Sequence, residues 1–186
     1  MQILKLGGSV ITHKDEYFSP HTENIKRLAQ EIFATKKPLI IVHGAGSFGH
    51  PVAKKYNISD GLKTSDQLLG FSETHQSMTR LNQIIVDTLL EAGVPAFGIS
   101  ASSMLVTKDR RLVDLDLSII KGCLELGLIP VMYGDAVLDT EQGFAILSGD
   151  QLIVRLAIDL EADRIIFGSD VDGIYTANPK LDPDAK

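Results

Sequence analysis

Leu39–His50 reads LIIVHGAGSFGH, and the fold turns on this stretch. The β-forming run Leu39–His43 feeds glycines 44, 46 and 49, spaced G-x-G-x-x-G. A near-continuous apolar strand is expected of a parallel sheet covered on both faces. A glycine loop leading into a helix lets backbone N–H groups and the positive helix end approach an anion. The spacing is that of a dinucleotide-binding turn. Such a turn also needs a compact strand–helix–strand unit and an acidic residue about 20 positions on, at the end of the next strand. That context is missing. A short helical stretch, a loop around Asp60-Gly61 and a long helix follow instead, leaving Asp60 and Asp66 where no ribose partner would stand. No G-x-x-x-x-G-K-[ST] occurs, which excludes a P-loop. The loop is therefore read as a cradle for the phosphate of a small substrate.

Working outward, strands and helices alternate. Ile3–Leu6 is a short strand ending in Gly7-Gly8-Ser9. Ser19-Pro20 is expected to open a helix with proline at its first position. Ile25, Leu28, Ala29, Ile32 and Phe33 give that helix one apolar stripe. Thr64–Gln67 has capping-box spacing and opens a helix to about Ala92, stopped by Gly93 and Pro95. Val94–Ile99 and Leu128–Tyr133 read as buried strands, separated by a hairpin over 105–115 and a helix over 116–126. A second hairpin over 135–147, a helix over 150–161 and a strand over 164–167 complete the pattern. The alternation predicts an α/β fold: a three-layer αβα sandwich around a mainly parallel sheet. Ligands in such folds sit beyond the carboxyl ends of the strands. There the sequence places Gly7–Ser9, Gly44–His50, Gly134-Asp135, Ser148–Asp150 and Gly168–Asp170.

The 186 residues allow one sizeable core and are read as a single domain. A net charge of −6 argues against a nucleic-acid binder, so any bound anion needs local donors and a few placed cations. The lone cysteine, Cys123, is expected to be a small buried helix residue and fits a reducing cytoplasm. The N-terminus has no signal-peptide pattern, and no apolar run approaches the ~18 residues of a membrane span. The stretch 179–186 reads as a loop after a strand, as at the cut end of a longer chain.

Lys5 lies two residues before Gly7, and Lys14 follows in the next loop. Phosphoryl transfer needs positioning and positive charge more than covalent help from protein. Two lysines beside facing glycine loops would supply both. A kinase for another small phosphate or phosphonate, such as fosfomycin, would use the same parts. A non-catalytic binding protein on the same fold is the other rival.

The K-L-G-G-S start, V-H-G-A-G, S-G-D-Q and G-S-D-V-D-G-I-Y-T-A-N-P-K resemble the amino acid kinase superfamily. Within it, H-G-A-G-S-F-G-H with its closing histidine is similar to the isopentenyl phosphate kinases. The likeness runs from residue 3 to the last residues. It implies ATP-dependent conversion of isopentenyl phosphate to the diphosphate by a cytoplasmic homodimer. It further implies that Lys5, Gly7, Gly8 and Ser9 contact the ATP phosphates and that Lys14 stabilises the transferring phosphoryl. Gly44, Ala45 and Gly46 would border nucleotide and acceptor through their backbone. His50 would donate to the acceptor phosphate, and Gly149 would lie against it. Asp150 would orient the lysines, with Asp170 and Tyr175 near the nucleotide. Magnesium would ride on ATP oxygens with no protein ligand. Residues 1–150 would form the acceptor part and 151–186 the start of the nucleotide part. Family members continue for further elements that add nucleotide contacts, including another lysine. His13, His21, His43 and His75 are read as structural. Leu68, Leu69, Phe71, Met78 and Phe48 are read as core rather than as a pocket for the isoprenoid tail.

Overall fold

A computed structural model describes residues 1–35, 37–171, 173, 175–177, 182 and 184. Most of the expected terminal loop, 179–186, lies outside the described residues. Strand β1 (Gln2–Leu6) leads through a short helical turn, α1 (Gly8–Ile11), to helix α2 (Thr22–Thr35) and strand β2 (Leu39–His43). Helices α3 (Gly46–Lys55) and α4 (Asp66–Glu91) precede strand β3 (Ala96–Gly98). A hairpin, β4 (Leu105–Lys108) and β5 (Arg111–Leu115), comes before helix α5 (Ser118–Glu125) and strand β6 (Ile129–Tyr133). A second hairpin, β7 (Asp135–Asp139) and β8 (Gly143–Leu147), then helix α6 (Gly149–Asp159) and strand β9 (Arg164–Gly168) follow.

The main sheet is five-stranded, ordered β3-β6-β2-β1-β9, and every pairing in it is parallel. Period-two alternation splits its side chains between two cores. Leu39 and Ile41 point with Leu6 toward α2 and α4, where they meet Ile25, Ala29, Ile32, Leu81 and Ile85. Ile3, Ile40, Val42 and Met132 point the other way, onto Ile120 and Cys123 of α5 and Leu152, Ile153 and Leu156 of α6. The result is the three-layer αβα architecture expected from the alternation, with Cys123 buried on its helix as expected.

The two hairpins join into a separate four-stranded sheet, β5-β4-β7-β8, through one parallel pairing of Thr107 with Asp139. Asp139 accepts from the N–H groups of Asp109, Arg110, Glu141 and Gln142 and from the Thr107 hydroxyl, so one carboxylate organises both hairpin turns.

Several details differ from the sequence reading. Pro20 is held in a β-bridge with Thr12, so α2 starts two residues later, at Thr22. Phe33, assigned to the buried stripe, is half exposed. Helix α3 begins at Gly46, which moves His50 from a loop onto its second turn.

Candidate functional site

The strand exits are tied to one another past the ends of the sheet. Gly7 N–H donates to the Gly168 carbonyl at 3.0 Å, Gly44 to Leu6 at 2.9 Å and Gly134 to His43 at 3.2 Å. Main chains crowd here. A Cβ on Gly8 would stand 2.5 Å from the Gly46 nitrogen, one on Gly44 2.9 Å from the Gly8 nitrogen, and one on Gly134 2.7 Å from the Gly149 nitrogen. At Gly46 a positive φ of 48° adds a second reason for glycine. The first N–H groups of α3 and α6 have no intrahelical acceptor, and both helices start at this convergence. Ser148 caps α6 by accepting from Gln151 N–H at 3.1 Å.

Two cavities open on the crowded backbone. A cleft of about 810 Å³ is walled by Gly7, Gly8, Ser9, Lys14 and Gly46, together with Phe167–Ser169 of the β9 exit. A smaller chamber, about 190 Å³, is walled by Gly44, Ala45, Gly134, Gly149 and Asp150, with Ala53, Thr74, Met78 and Ile146 as an apolar lining. Lys5, Gly8 and His50 stand at the junction and line both spaces. Lys5 and His50 therefore share a cavity wall.

Lys5 is mostly buried, and its Nζ lies 2.5 Å from Asp150 Oδ1, with the Phe167 ring 5.8 Å away. Asp150 is largely exposed, so the pair sits at the cavity mouth. Lys14 Nζ lies 3.4 Å from Asp170 Oδ2, and Ser9 Oγ donates to Asp170 Oδ1 at 2.7 Å. Asp170 thus reaches the large cleft through Ser9 and Lys14. Tyr175 stands beside Gly173, another wall of that cleft, whose added Cβ would lie 3.7 Å from the ring. His50 is exposed on α3.

His43 keeps the structural role expected of it. Burial lowers its pKa to about 4, while its Nδ1 donates to the Gly44 carbonyl at 3.1 Å and its ring stacks on Tyr133. His75 does more than expected: its Nδ1 lies 2.8 Å from the buried Asp135 carboxylate. That hydrogen bond raises the His75 pKa above its usual value.

Sequence reasoning missed several walls. Thr74, Ala53 and Ile146 line the small chamber from three different elements, and Met78, read as core, lines it too. Leu68 and Leu69 point to solvent, and Phe48 is buried against Phe18. Gln151 was passed over as well. Its side chain accepts from Leu112 N–H at 2.6 Å and donates to the Arg110 carbonyl at 3.1 Å, pinning the start of α6 to the first hairpin.

The sequence model of the amino acid kinase family matches residues 1–186. Isopentenyl phosphate kinase of Methanothermobacter thermautotrophicus is 44% identical over 194 residues, covering 100% of this chain and 73% of the relative. An X-ray structure of an isopentenyl phosphate kinase superposes with a TM-score of 0.94 at 44% identity, covering 100% of this chain and 78% of the other. A product complex of the T. acidophilum isopentenyl phosphate kinase gives 0.90 at 34% identity, covering 100% and 76%.

Proposed function

Because the chain belongs to the amino acid kinase family, we propose that it transfers the γ-phosphoryl group of ATP to isopentenyl phosphate, yielding isopentenyl diphosphate and ADP. The observation that carries this reading is the junction: Lys5, Gly8 and His50 line both the large cleft and the small apolar-floored chamber. In this reading the large cleft takes the nucleoside triphosphate and the small chamber takes the short branched tail with its phosphate.

In this reading an oxygen of the acceptor phosphate attacks the γ-phosphorus as the bond to the β-bridging oxygen breaks. That oxygen is already deprotonated near neutral pH, since the second pKa of a phosphate monoester is about 6, so no side chain has to remove a proton. The barrier is the approach of two anions. Lys5, at the junction, faces both; Lys14 faces the transferring group; Gly7, Gly8, Ser9, Ala45 and Gly46 offer donors to the nucleotide. Fixed donors in a partly desolvated site stabilise developing charge without reorganising. His50, Gly44, Gly46 and Gly149 hold the acceptor phosphate, and Asp150 keeps the Lys5 ammonium aimed at the junction. Asp170 does the same for Lys14 and, with Tyr175, borders the nucleotide. Mg²⁺ would arrive on the ATP oxygens and supply further charge neutralisation, without a protein ligand.

The same reading assigns residues 1–150 to the acceptor part and 151–186 to the start of the nucleotide part of one domain. It places the enzyme in the cytoplasm as a homodimer, which light scattering would check. Among the described residues no helix is long and apolar enough to cross a membrane. Incubation with ATP, Mg²⁺ and isopentenyl phosphate, followed by ³¹P NMR, tests the activity. The expected result is isopentenyl diphosphate with stoichiometric ADP. Absence of the diphosphate, or a higher kcat/KM for fosfomycin in a parallel panel, would overturn the assignment.

A further inference from the structure

Asp135 directly follows Gly134 at the exit of β6 and belongs to the wall of the small chamber, yet its side chain is wholly shielded from water. A buried carboxylate behind a chamber that takes a phosphate dianion is a like-charge conflict, because solvent cannot screen it. Both carboxylate oxygens are held. Oδ1 accepts from Ala136 N–H at 2.8 Å, and Oδ2 lies 2.8 Å from His75 Nδ1. A single peptide N–H offsets only part of a full negative charge, whereas a protonated imidazole offsets all of it.

Resting on the functional reading above, we propose that His75 is a positioning residue for the phosphate acceptor. Its imidazolium neutralises Asp135 behind the chamber wall, so that a dianionic phosphate can enter. The pair is built in from several sides. His75 comes from the middle of α4, and Ser102 Oγ lies 3.4 Å from the same Nδ1, itself 2.8 Å from Ser100 Oγ. The other titratable groups around the pair are Tyr133 on β6, whose hydroxyl lies 3.4 Å from Thr79 Oγ1, and His50, Lys5 and Asp150 on the remaining walls of the chamber. The Asp135 hydrogen bond shifts the His75 pKa upward, the direction that favours the cation.

The test uses His75→Gln, Asp135→Asn and the double variant at pH 7. Each is read by the KM for isopentenyl phosphate at saturating ATP and by calorimetric binding of inorganic phosphate. His75→Gln leaves the carboxylate uncompensated and is expected to raise both values on the order of tenfold, the scale of one charge in a partly buried site, with kcat and the KM for ATP little changed. Asp135→Asn keeps the shape and removes the charge, and is expected not to weaken phosphate binding. Adding it to His75→Gln restores them, because the conflict is gone. A double variant no better than His75→Gln, or weaker phosphate binding by Asp135→Asn alone, would mean that the pair acts through shape and would overturn the proposal. If His75→Gln fails to fold, His75→Asn and its double variant with Asp135→Asn take its place and are read in the same way. A wild-type protein that makes no isopentenyl diphosphate removes the functional reading; wild-type turnover with an unaffected His75→Gln removes only this inference.

Discussion

Replacing Gly8 by alanine probes the backbone convergence on which the site depends. The added Cβ would stand 2.5 Å from the Gly46 nitrogen and 2.7 Å from the Gly46 Cα. Both are main-chain atoms, so no rotamer change can clear them. Reaching an ordinary contact distance of 3.4 Å requires α1 and the start of α3 to separate by about 0.9 Å. Lys5 lies on the strand leading into Gly8, and His50 lies on the helix that Gly46 begins, so the same separation pulls apart the two side chains shared by both cavities. A misplacement of about 1 Å costs on the order of a hundredfold in rate. Gly8→Ala should therefore lower kcat/KM about a hundredfold for both substrates. Overpacking of this kind destabilises by about 1–3 kcal/mol, and each kcal/mol lowers Tm by about 2–4 °C at this chain length. Steady-state kinetics with a thermal melt on the same preparation separates the two effects. A folded variant whose kcat/KM stays within about twofold of wild type would refute the claim that close approach at Gly8 sets the site.

His50→Ala should raise the KM for isopentenyl phosphate more than the KM for ATP; an unchanged acceptor KM would contradict the assigned role. Burial alone would raise the Asp139 pKa, but hydrogen bonds from Arg110, Glu141, Thr107 and Gln142 outweigh it and hold the carboxyl at about 2 against an ordinary 3.8. The folded pKa lies below the unfolded one, so this stabilisation is complete above about pH 4 and is lost as pH falls toward 2, at about 2 kcal/mol in all. Urea unfolding across that window should give a shallower pH slope for Asp139→Asn than for wild type; equal slopes would refute it. Gly122 in α5 has no atom within 4 Å of an added Cβ, so Gly122→Ala should stabilise by about 0.5–1 kcal/mol, measured as a rise in Tm with unchanged kinetics.

The centre of the main sheet was legible in the sequence because β2 and β6 are buried on both faces and read as apolar runs: Leu39–His43 is buried at every position. The turn α1 was not legible. It begins with a glycine, a poor helix former, and is held by contacts that no local pattern encodes, such as Thr12 Oγ1 donating to the Gly8 carbonyl at 2.7 Å. The capping box at Thr64–Gln67 was half right. Gln67 Oε1 accepts from Thr64 N–H at 3.1 Å and Lys63 N–H at 2.7 Å, but the helix begins at Asp66, with Ser65 in the flanking position. Joining of the two hairpins rests on a pairing 32 residues apart in sequence, Thr107 to Asp139, which no short-range signal announces. At the site, the glycine clusters marked the strand exits, and the strand-exit rule placed Lys5 beside them. The apolar chamber walls come from α3, α4 and β8, one or two residues each, and so leave no pattern in the chain.

An acidic protein that brings two phosphates together has to deal with its own carboxylates, and the pairings around the cavities show how this chain does so. Asp150 is set against Lys5, and Asp170 against Lys14 and Ser9. Asp135 is set against His75 and the Ala136 N–H. The partners differ in a way that matters physically. Lysine ends a flexible four-carbon stem, so an exposed carboxylate at its tip restricts where the ammonium can point while solvent screens the carboxylate itself. Asp150 can therefore aim a cation at the cost of little repulsion, whereas the more shielded Asp170 carboxylate is offset by the Ser9 hydroxyl as well as by Lys14. Asp135 has no solvent to screen it, and the cation beside it is a ring fixed on a helix. Its partner has no freedom to be aimed and serves to cancel charge. Net charge of −6 and an anion-receptive cavity are compatible because each acid at the cavities is spent on a neighbouring donor before a phosphate meets it.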